Sequence, residues 1–324
     1  MRRRDFLGVM GCATAWPITA GAQIATPTVG YLSSRSPDSE AALRVPFLKA
    51  LENAGFVVGQ NVAIDYRFAE GRDERLPALA TELVQRRVTI LVAADRPSAI
   101  AAEAATATIP IVFHSAGDPV RDGLVQSLNK PSGNATGISV LNNQLGPKRL
   151  GLLREIVPRT GVIAFVVNPN SASTPVQLQE MQEAARVLAQ PLLVLNAGTE
   201  SEAENAFATM SREKVIGVVY GASPYFQVIM DRLIALAVRH AIPASYEWRE
   251  FVIAGGLMSY NANRTESGRQ IGAYTAQILK GAKPADLPVV QSSKFEFIIN
   301  LKTAKALGLE FHPQLLGTAD EVIE

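Results

Sequence analysis

Residues 29–34 read VGYLSS, and residues 162–170 read VIAFVVNPN. Each stretch is an apolar run of strand type that ends in small polar residues and leads into a turn and a helical pattern. A strand followed by a turn and a helix is the unit from which parallel sheets are built. Because the same unit opens both halves of the chain, we predict two similar α/β lobes.

Further strand-like runs follow each opening strand. The predicted strands are Val29–Leu32, Val62–Tyr66, Thr89–Ala93, Pro110–Phe113, Thr136–Val140, Val162–Val167, Leu192–Leu195, Val215–Tyr220, Ile242–Tyr246, Leu257–Tyr260 and Phe295–Ile299. Helical spacing of apolar residues predicts helices between strands, as in Glu40–Ala54, Leu76–Val84 and Val176–Leu188. This alternation predicts parallel sheets with helices on both faces. So many strands favour two sheets of about five each, with the boundary in the polar segment 133–143.

The composition excludes several classes of protein. The chain has 324 residues, of which 48 % are hydrophobic, and its 31 basic and 30 acidic residues give a formal charge of +1. A disordered chain would be poorer in apolar residues and carry more net charge. A dedicated nucleic-acid binder would show a basic face or tail, so no nucleic-acid partner is expected. The single cysteine, Cys12, excludes a disulfide framework and a cysteine metal site.

The first 22 residues predict an export signal. They read MRRRDFLGVMGCATAWPITAGA, which is a basic head, a short apolar run and a small-residue cleavage site after Ala22. Arg3 and Arg4 stand where the twin-arginine export motif has its pair, so we expect a periplasmic protein. Two alternatives stay open: an ordinary basic N-terminus on a cytoplasmic protein, and a lipoprotein anchored through Cys12.

Candidate binding residues follow the predicted strands. In open parallel sheets, ligands bind beyond the carboxyl ends of the strands, where helix N-termini also point. On this basis the ligand-binding candidates are Ser33, Ser34, Asp95, His114, Asp118, Asn168, Asn170, Tyr220, Tyr246, Glu247 and Trp248. Each also has a purely structural interpretation: the short polar residues as helix caps and turns, His114 as a buried satisfied histidine, and Trp248 as packing between domains.

No motif for catalysis, a cofactor or a metal is present. The sequence lacks a G-x-G-x-x-G loop, a P-loop, a G-x-S-x-G elbow and an H-E-x-x-H pair. With three scattered histidines and a single cysteine, a pair of nucleophile and base is hard to build. We therefore do not expect an enzyme, a cofactor or a metal site.

The sequence resembles a family of bacterial ABC-transporter substrate-binding proteins, some of which bind tryptophan and related aromatic amino acids. The resemblance rests on strings that keep their order along the chain, among them VGYLSSRSP, IPIVFHSAGDPV, GLVQSLNKPSGNATGIS, KRLGLLREIVP, FVIAGGLMSYN and PQLLGTADEVIE. It implies the type I periplasmic-binding-protein fold, in which two Rossmann-like, doubly wound lobes are joined by a three-segment hinge. It also implies two partners, a small solute and a membrane permease, and a monomeric protein.

Under this resemblance, lobe 1 is expected at 23–137 plus 257–288, and lobe 2 at 138–256 plus 289–324. Ser33, Asp118, Asn168 and Tyr246 fall in strings that match the family, whereas Asp95, His114 and Glu247-Trp248 differ from many relatives. We hypothesise that Ser33 and Ser34 hold a carboxylate, that Asp118 or Glu247 holds an amine, and that Trp248 or Tyr246 stacks on the solute. A periplasmic sensor subunit and an exported α/β enzyme remain alternative functions.

Overall fold

The first of two sheets is entirely parallel. The computed structural model describes residues 26–140, 145–157 and 159–324. The first sheet has six strands, β1 (Thr28–Ser33), β2 (Ala63–Phe68), β3 (Ile90–Ala93), β4 (Ile111–Ser115), β5 (Ala135–Ser139) and β11 (Val290–Gln291), in the order β11-β5-β4-β3-β1-β2. Every neighbouring pair is parallel, so the carboxyl ends of these strands share one edge.

The second sheet has seven strands and one antiparallel pairing. Its strands are β6 (Ile163–Val167), β7 (Leu192–Asn196), β8 (Gly217–Tyr220), β9 (Ala244–Tyr246), β10 (Met258–Ala262), β12 (Phe295–Asn300) and β13 (Glu321–Ile323), in the order β13-β12-β10-β9-β8-β6-β7. Only β10 and β12 run antiparallel. The carboxyl ends of β6, β8 and β9 therefore also meet at one edge.

Helices cover both faces of each sheet. They are α1 (Ala41–Asn53), α2 (Leu76–Gln85), α3 (Arg96–Ala105), α4 (Gly146–Ile156), α5 (Thr174–Val187), α6 (Glu200–Arg212), α7 (Pro224–Val228), α8 (Met230–Arg239), α9 (Arg249–Ile253), α10 (Arg264–Leu279), α11 (Leu301–Ala306) and α12 (Pro313–Leu316). The buried apolar residues form four clusters, two per sheet. Strands covered on both faces are mostly apolar, as ILVA at 90–93 and IAFVV at 163–167 are. Among the described residues, none of these helices has the length and apolar character that crossing a bilayer requires.

The chain passes between the two lobes three times. It leaves the first sheet after Val140, returns after Ala262, and leaves again between β11 and β12. The expected boundaries differ from this arrangement. Residues 138–140 continue β5 of lobe 1, residues 257–262 contain β10 of lobe 2, and residues 289–292 contain β11 of lobe 1, because in each case the strand's hydrogen-bonding partners lie in that sheet.

All of the predicted strands are present, as are the three predicted helices. Two short strands, Val290–Gln291 and Glu321–Ile323, were not predicted. Both lie at the outer edge of a sheet, and two or three residues are too few to show a hydrophobic period. The predicted export signal, residues 1–22, lies outside the described residues.

Two glycines let α10 lie directly on α1. A Cβ atom on Gly272 would sit 2.5 Å from the carbonyl oxygen of Phe47 and 2.7 Å from the Cβ of Ala50. A Cβ atom on Gly268 would collide with the carbonyl of Leu43. The two helices therefore approach closely enough to leave no room for a methyl group, and they form one outer layer of lobe 1.

The substitution Gly272→Ala should lower the free energy of unfolding by about 1–2 kcal/mol. Overpacking costs about 1–3 kcal/mol, and it exceeds the gain of roughly 1 kcal/mol that alanine brings to a helix interior. Urea unfolding followed by circular dichroism measures the change. Gly151→Ala in α4 is the matched control, because a Cβ atom there meets nothing within 4 Å. That variant should be as stable as the wild type or more so, and equal effects of the two substitutions would contradict the close approach.

Candidate functional site

A cavity lies between the lobes, where the carboxyl edges of the two sheets face each other. It and its opening to solvent together contain about 430 Å³ of empty space. Its wall from lobe 1 comes from the loops after β1, β3 and β4, and its wall from lobe 2 comes from the loops after β6, β8 and β9. The lining residues are Arg35, Asp95, Arg96, Pro97, His114 and Ala116 from lobe 1, and Ser171, Ser173, Ala222, Ser223, Pro224, Glu247 and Trp248 from lobe 2.

Asp95 organises the lobe 1 wall. It is the N-cap of α3, where its Oδ1 accepts the backbone N–H of Ser98 at 3.0 Å and the Ser98 hydroxyl donates back to the chain at Asp95. Its Oδ2 accepts the hydroxyl of Ser34 at 2.7 Å, the backbone N–H of Ser34 at 2.8 Å and the hydroxyl of Ser33 at 3.2 Å. The carboxylate of Asp95 is thus committed to fixing the loop after β1 against the start of α3.

Arg35 joins this network to the opposite lobe. Its Nη1 lies 3.3 Å from carboxylate oxygens of both Glu40 and Asp95, and its Nε donates to the side-chain oxygen of Gln227 in α7. Burial opposes the charge of this guanidinium, but the carboxylates of Glu40, Asp95 and Glu247 raise its pKa above the ordinary value. A buried arginine needs such partners, because an unpaired buried charge is strongly destabilising.

Glu40 lies fully buried beneath the loop that follows β1. It accepts hydrogen bonds from the hydroxyls of Tyr31 at 3.0 Å and Ser33 at 2.9 Å. Burial raises the pKa of its carboxyl, and the guanidiniums of Arg35 and Arg264 oppose that rise. Glu40 is thus a support for the cavity wall rather than part of its surface.

His114 follows Phe113 near the end of β4 and lines the cavity. Burial lowers the pKa of its imidazole to about 3, and the charges of Arg35 and Arg264 act in the same direction, while a hydrogen bond with the backbone of Ala94 opposes them. The ring is therefore neutral at physiological pH. Its Nε2 has no hydrogen-bond partner among the described residues.

The lobe 2 wall is built from two serine-bearing loops. Ser171 and Ser173 stand at the start of α5, with their hydroxyl oxygens 3.0 Å apart. The side chain of Gln177 donates to Ser173 at 2.7 Å and to the carbonyl of Ala222 at 2.9 Å. It also accepts the backbone N–H of Ala222 at 2.5 Å. This one side chain locks the loop after β8 to the first turn of α5.

The loop after β9 contributes Glu247 and Trp248. Burial raises the pKa of the Glu247 carboxyl, and Arg149, Arg35, the backbone N–H of Ser223 and Arg264 oppose that rise. Burial lowers the pKa of Arg149 to about 10, with the carboxylate of Glu247 acting against it. The Trp248 ring lies under the guanidinium of Arg264, whose Cζ is 5.1 Å from the ring centroid. This contact crosses from α10 of lobe 1 to lobe 2, and cation–π attraction favours it.

Comparison with known proteins identifies the family. The family model for ABC transporter substrate binding proteins matches residues 32–323. The chain belongs to this family. A "tyrosine-binding protein" of Clostridioides difficile is 28 % identical over 265 residues, which make up 82 % of this chain and 76 % of the relative.

Solved structures show the same fold. A conserved domain protein of Vibrio cholerae is 26 % identical, with a TM-score of 0.84, and the match covers 92 % of this chain and 99 % of that one. An ABC domain from Streptococcus pneumoniae, solved in complex with L-Trp, is 24 % identical, with a TM-score of 0.83, and the match covers 92 % of this chain and all of that one, at 100 %. The expected type I periplasmic-binding-protein fold is confirmed.

Family membership establishes the general role. This substrate-binding protein takes up a small solute outside the cytoplasm for an ABC importer, and its partner in the membrane is the importer's permease. The members and relatives that it matches are binding proteins and not enzymes. Within the described residues, no group of three or more His, Cys, Asp and Glu side chains is arranged to hold a metal ion.

The sequence-predicted residues fall into three groups. Asp95, His114, Glu247 and Trp248 line the cavity of the substrate-binding protein. Ser33 and Ser34 are fully buried behind it and donate to Glu40 and Asp95, so their hydroxyls serve the wall rather than a carboxylate of the solute. Asn168 ties the two loops of lobe 2 by donating to the hydroxyl of Ser223 at 3.2 Å.

The third group lies away from the cavity lining. Asp118 caps a turn after β4 and accepts the backbone N–H of Val120 at 2.9 Å. Tyr220 and Tyr246 are buried in the core of lobe 2, where their rings stack with centroids 5.3 Å apart. Asn170 lies at the outer rim of the cleft, opposite Asp73 and Glu74.

Several functional residues were missed by the sequence analysis. Arg35, Arg96, Ser171, Ser173 and Ser223 stand in the same strand-end loops as the candidates, but the ligand-binding candidates did not include them. The strand-end pattern marks whole loops and does not say which of their side chains line the cavity. Arg149, Gln177 and Arg264 lie within helices, and no sequence signal placed them at the cleft.

The buried neutral His114 should make the protein sensitive to acid. The unfolded chain binds a proton at this ring below about pH 6.5, whereas the folded protein does so only at about pH 3. The free energy of unfolding should therefore fall as the pH drops from 6.5 towards 3, by at most about 1.4 kcal/mol per pH unit. When the pH is lowered from 6.5 to 4.5, the free energy of unfolding of the wild type should fall by about 2–3 kcal/mol more than that of His114→Gln.

Urea unfolding at a series of pH values measures this difference. The carboxyls with raised pKa values, Asp73 and Glu247, are present in both proteins, so their contributions cancel to a first approximation. His312→Gln is the control, because it changes an exposed histidine and should leave the acid sensitivity in place. If the difference in free energy of unfolding between the wild type and His114→Gln does not vary with pH, the buried neutral ring is contradicted.

Proposed function

We propose that the solute is a free α-amino acid, bound in the cavity as a zwitterion. The observation that carries this proposal is the pairing, in one cavity between the lobes, of a buried carboxylate, Glu247, with a serine-lined helix start at Ser171 and Ser173. The first is suited to an ammonium group and the second to a carboxylate.

Glu247 is the carboxylate best placed to meet the ammonium group. Glu247 lines the cavity from lobe 2, whereas the carboxylate oxygens of Asp95 and Glu40 hold the lobe 1 wall together. Burial raises the pKa of the Glu247 carboxyl, and a bound ammonium group would lower it, since an opposite charge at close range favours ionisation.

The solute carboxylate is assigned to the start of α5. This helix has 14 residues and no side-chain cap at Ser173. A helix N-terminus carries a partial positive charge, which favours an anion. The N–H of Thr174 is bonded to the carbonyl of Ser171, and Pro175 has no N–H, so the donors at this site come from the side chains. The hydroxyls of Ser171, Ser173 and Ser223 line the same wall and add donors.

The relatives support an amino-acid solute. The C. difficile relative is named a tyrosine-binding protein, and the S. pneumoniae structure holds L-Trp. Their lobes share the fold of this chain, but which free amino acid this protein binds depends on the residues of its own cavity. We also propose that the protein works as a monomer, which shuttles between a free state and a permease-bound state.

Closure of the lobes couples binding to delivery. The lobes already touch through Arg35 and Gln227, and through Arg264 and Trp248. A solute that contacts Glu247 and the serines of lobe 2 together with the lobe 1 wall binds the closed arrangement better than an open one. It therefore shifts the population towards the closed state, which the permease can recognise.

Isothermal titration calorimetry with a panel of free amino acids tests the proposal. The protein is first unfolded and refolded to remove any carried-over solute. At least one amino acid should bind, and its deaminated and decarboxylated analogues should bind at least tenfold more weakly, because each has lost a charged group that the cavity is proposed to hold. Binding of a sugar or a purine, with no amino acid bound, would overturn the proposal.

The variant Glu247→Gln should lose the preference for the amine. The wild type should bind the amino acid more tightly than its deaminated analogue. In the variant, the ratio of these two affinities should be about tenfold to a hundredfold smaller, since a hydrogen bond to a charged group contributes about 1.5–3 kcal/mol. Glu180→Gln is the control, because this half-buried carboxyl of lobe 2 lies outside the cavity lining. An unchanged ratio in Glu247→Gln would show that another group holds the ammonium.

We further propose export through the twin-arginine route, with cleavage after Ala22 and release into the periplasm. The basis is the order of Arg3-Arg4, a short apolar run and a small-residue cleavage site. The double variant Arg3→Lys with Arg4→Lys should leave the full-length precursor in the cytoplasm. Mass spectrometry of the periplasmic wild type should find Gln23 as the first residue, and a lipidated Cys12 there would contradict the proposal.

A further inference from the structure

Two buried rings that line the cavity from opposite lobes each have an unpartnered nitrogen. His114 of lobe 1 and Trp248 of lobe 2 are each 2 % exposed, and both line the cavity. Neither the Nε2 of His114 nor the Nε1 of Trp248 has a hydrogen-bond partner among the described residues. Buried polar atoms are nearly always paired, so an unpaired couple at one site points to a partner supplied by a ligand.

The two nitrogens have opposite hydrogen-bonding roles. The indole N–H of Trp248 can only donate. The imidazole of His114 is neutral, because burial and the nearby guanidiniums of Arg35 and Arg264 disfavour its protonation. Its hydrogen bond with the backbone of Ala94 uses one ring nitrogen as the donor, and the unpartnered Nε2 is therefore the acceptor.

Both rings are held in place by their surroundings. Trp248 is the N-cap residue of α9, and its ring packs beneath Arg264, whose Nη1 also donates to the carbonyl of Ser39 at 3.3 Å. His114 is the fourth residue of β4, and its backbone pairs in register with Ile138 of β5. The Trp248 ring cannot turn away without losing its contact with Arg264, and the His114 ring cannot do so without losing its hydrogen bond with the backbone of Ala94.

We propose that His114 and Trp248 hydrogen-bond to the side chain of the bound amino acid. They thereby select a side chain with an uncharged group that is both a hydrogen-bond donor and an acceptor. A hydroxyl or a primary carboxamide meets both requirements. An ammonium or guanidinium group has no acceptor, a carboxylate has no donor, and an aliphatic side chain has neither. This inference rests on the proposed function, and it narrows the solute class to hydroxyl- and amide-bearing amino acids.

Matched pairs of amino acids test the selection by calorimetry. The pairs are threonine with valine, tyrosine with phenylalanine, and glutamine with methionine, each close in shape and different in hydrogen bonding. In at least one pair, the polar member should bind the wild type at least a hundredfold more tightly than its apolar counterpart. A site built to hydrogen-bond a polar group discriminates strongly against an analogue that leaves its own atoms unpaired.

Variants then assign the selection to the two rings. Trp248→Phe removes the donor and keeps an aromatic ring under Arg264, and it should lower the polar-to-apolar ratio of affinities by tenfold or more. His114→Leu removes the acceptor and should do the same, whereas His114→Gln offers an amide oxygen near the former Nε2 and should restore part of the ratio. Ser245→Ala is the matched control, because its hydroxyl is also buried and unpartnered but does not line the cavity.

The outcomes separate this inference from the function on which it rests. Equal affinities within every pair would overturn the inference and leave amino-acid binding intact. A selective wild type whose ratio survives in both Trp248→Phe and His114→Leu would overturn the assignment to these rings. Equal weakening of both members of a pair in His114→Leu would show that His114 holds the shared α-ammonium group instead. A wild type that binds no amino acid would overturn the proposed function and this inference together.

Discussion

The cleft depends on a buried ion network centred on Arg35. A guanidinium at this depth is tolerable only because Glu40 and Asp95 flank it, and each carboxylate is in turn fixed by hydroxyls and backbone N–H groups of its own neighbours. The network therefore fixes the loop after β1 and the start of α3 together. Through Gln227 it also reaches the opposite lobe. Removing one charged residue of the network leaves another buried charge without its partner, so a single substitution should destabilise the whole lobe 1 wall.

The architecture could be predicted from the sequence because its physical cause is local. A strand that is covered on both faces is mostly apolar, so buried strands such as IAFVV at 163–167 can be recognised from the sequence alone. Edge strands escape this rule, and the two short ones were missed. The lobe boundaries were shifted by a few residues, because strand pairing and not composition decides which sheet β10 and β11 join.

The site was only partly predictable, for a different reason. The position of a residue after a strand places it near the cleft but does not say what its side chain contacts. Ser33 and Ser34 are turned to Asp95 and Glu40, Asp118 caps a turn, and Tyr246 packs against Tyr220. The supporting residues Arg149, Gln177 and Arg264 come from helices that are distant in sequence. Only the folded chain shows that they stand behind the cavity, since their roles arise from packing between elements.

The three passages between lobes also constrain how the chain folds as it is synthesised. Lobe 1 lacks α10 and β11 until residue 291 has been made, and lobe 2 lacks β12 and β13 until residue 323 has been made. Neither lobe is a contiguous segment of the chain. Each sheet therefore stays incomplete on the ribosome until the last part of the chain has been synthesised. Contacts between residues so far apart in sequence form slowly, because closing long loops carries a large entropic penalty. A nascent chain of this design exposes incomplete sheet edges until synthesis is almost finished, and during that interval it depends on protection from aggregation.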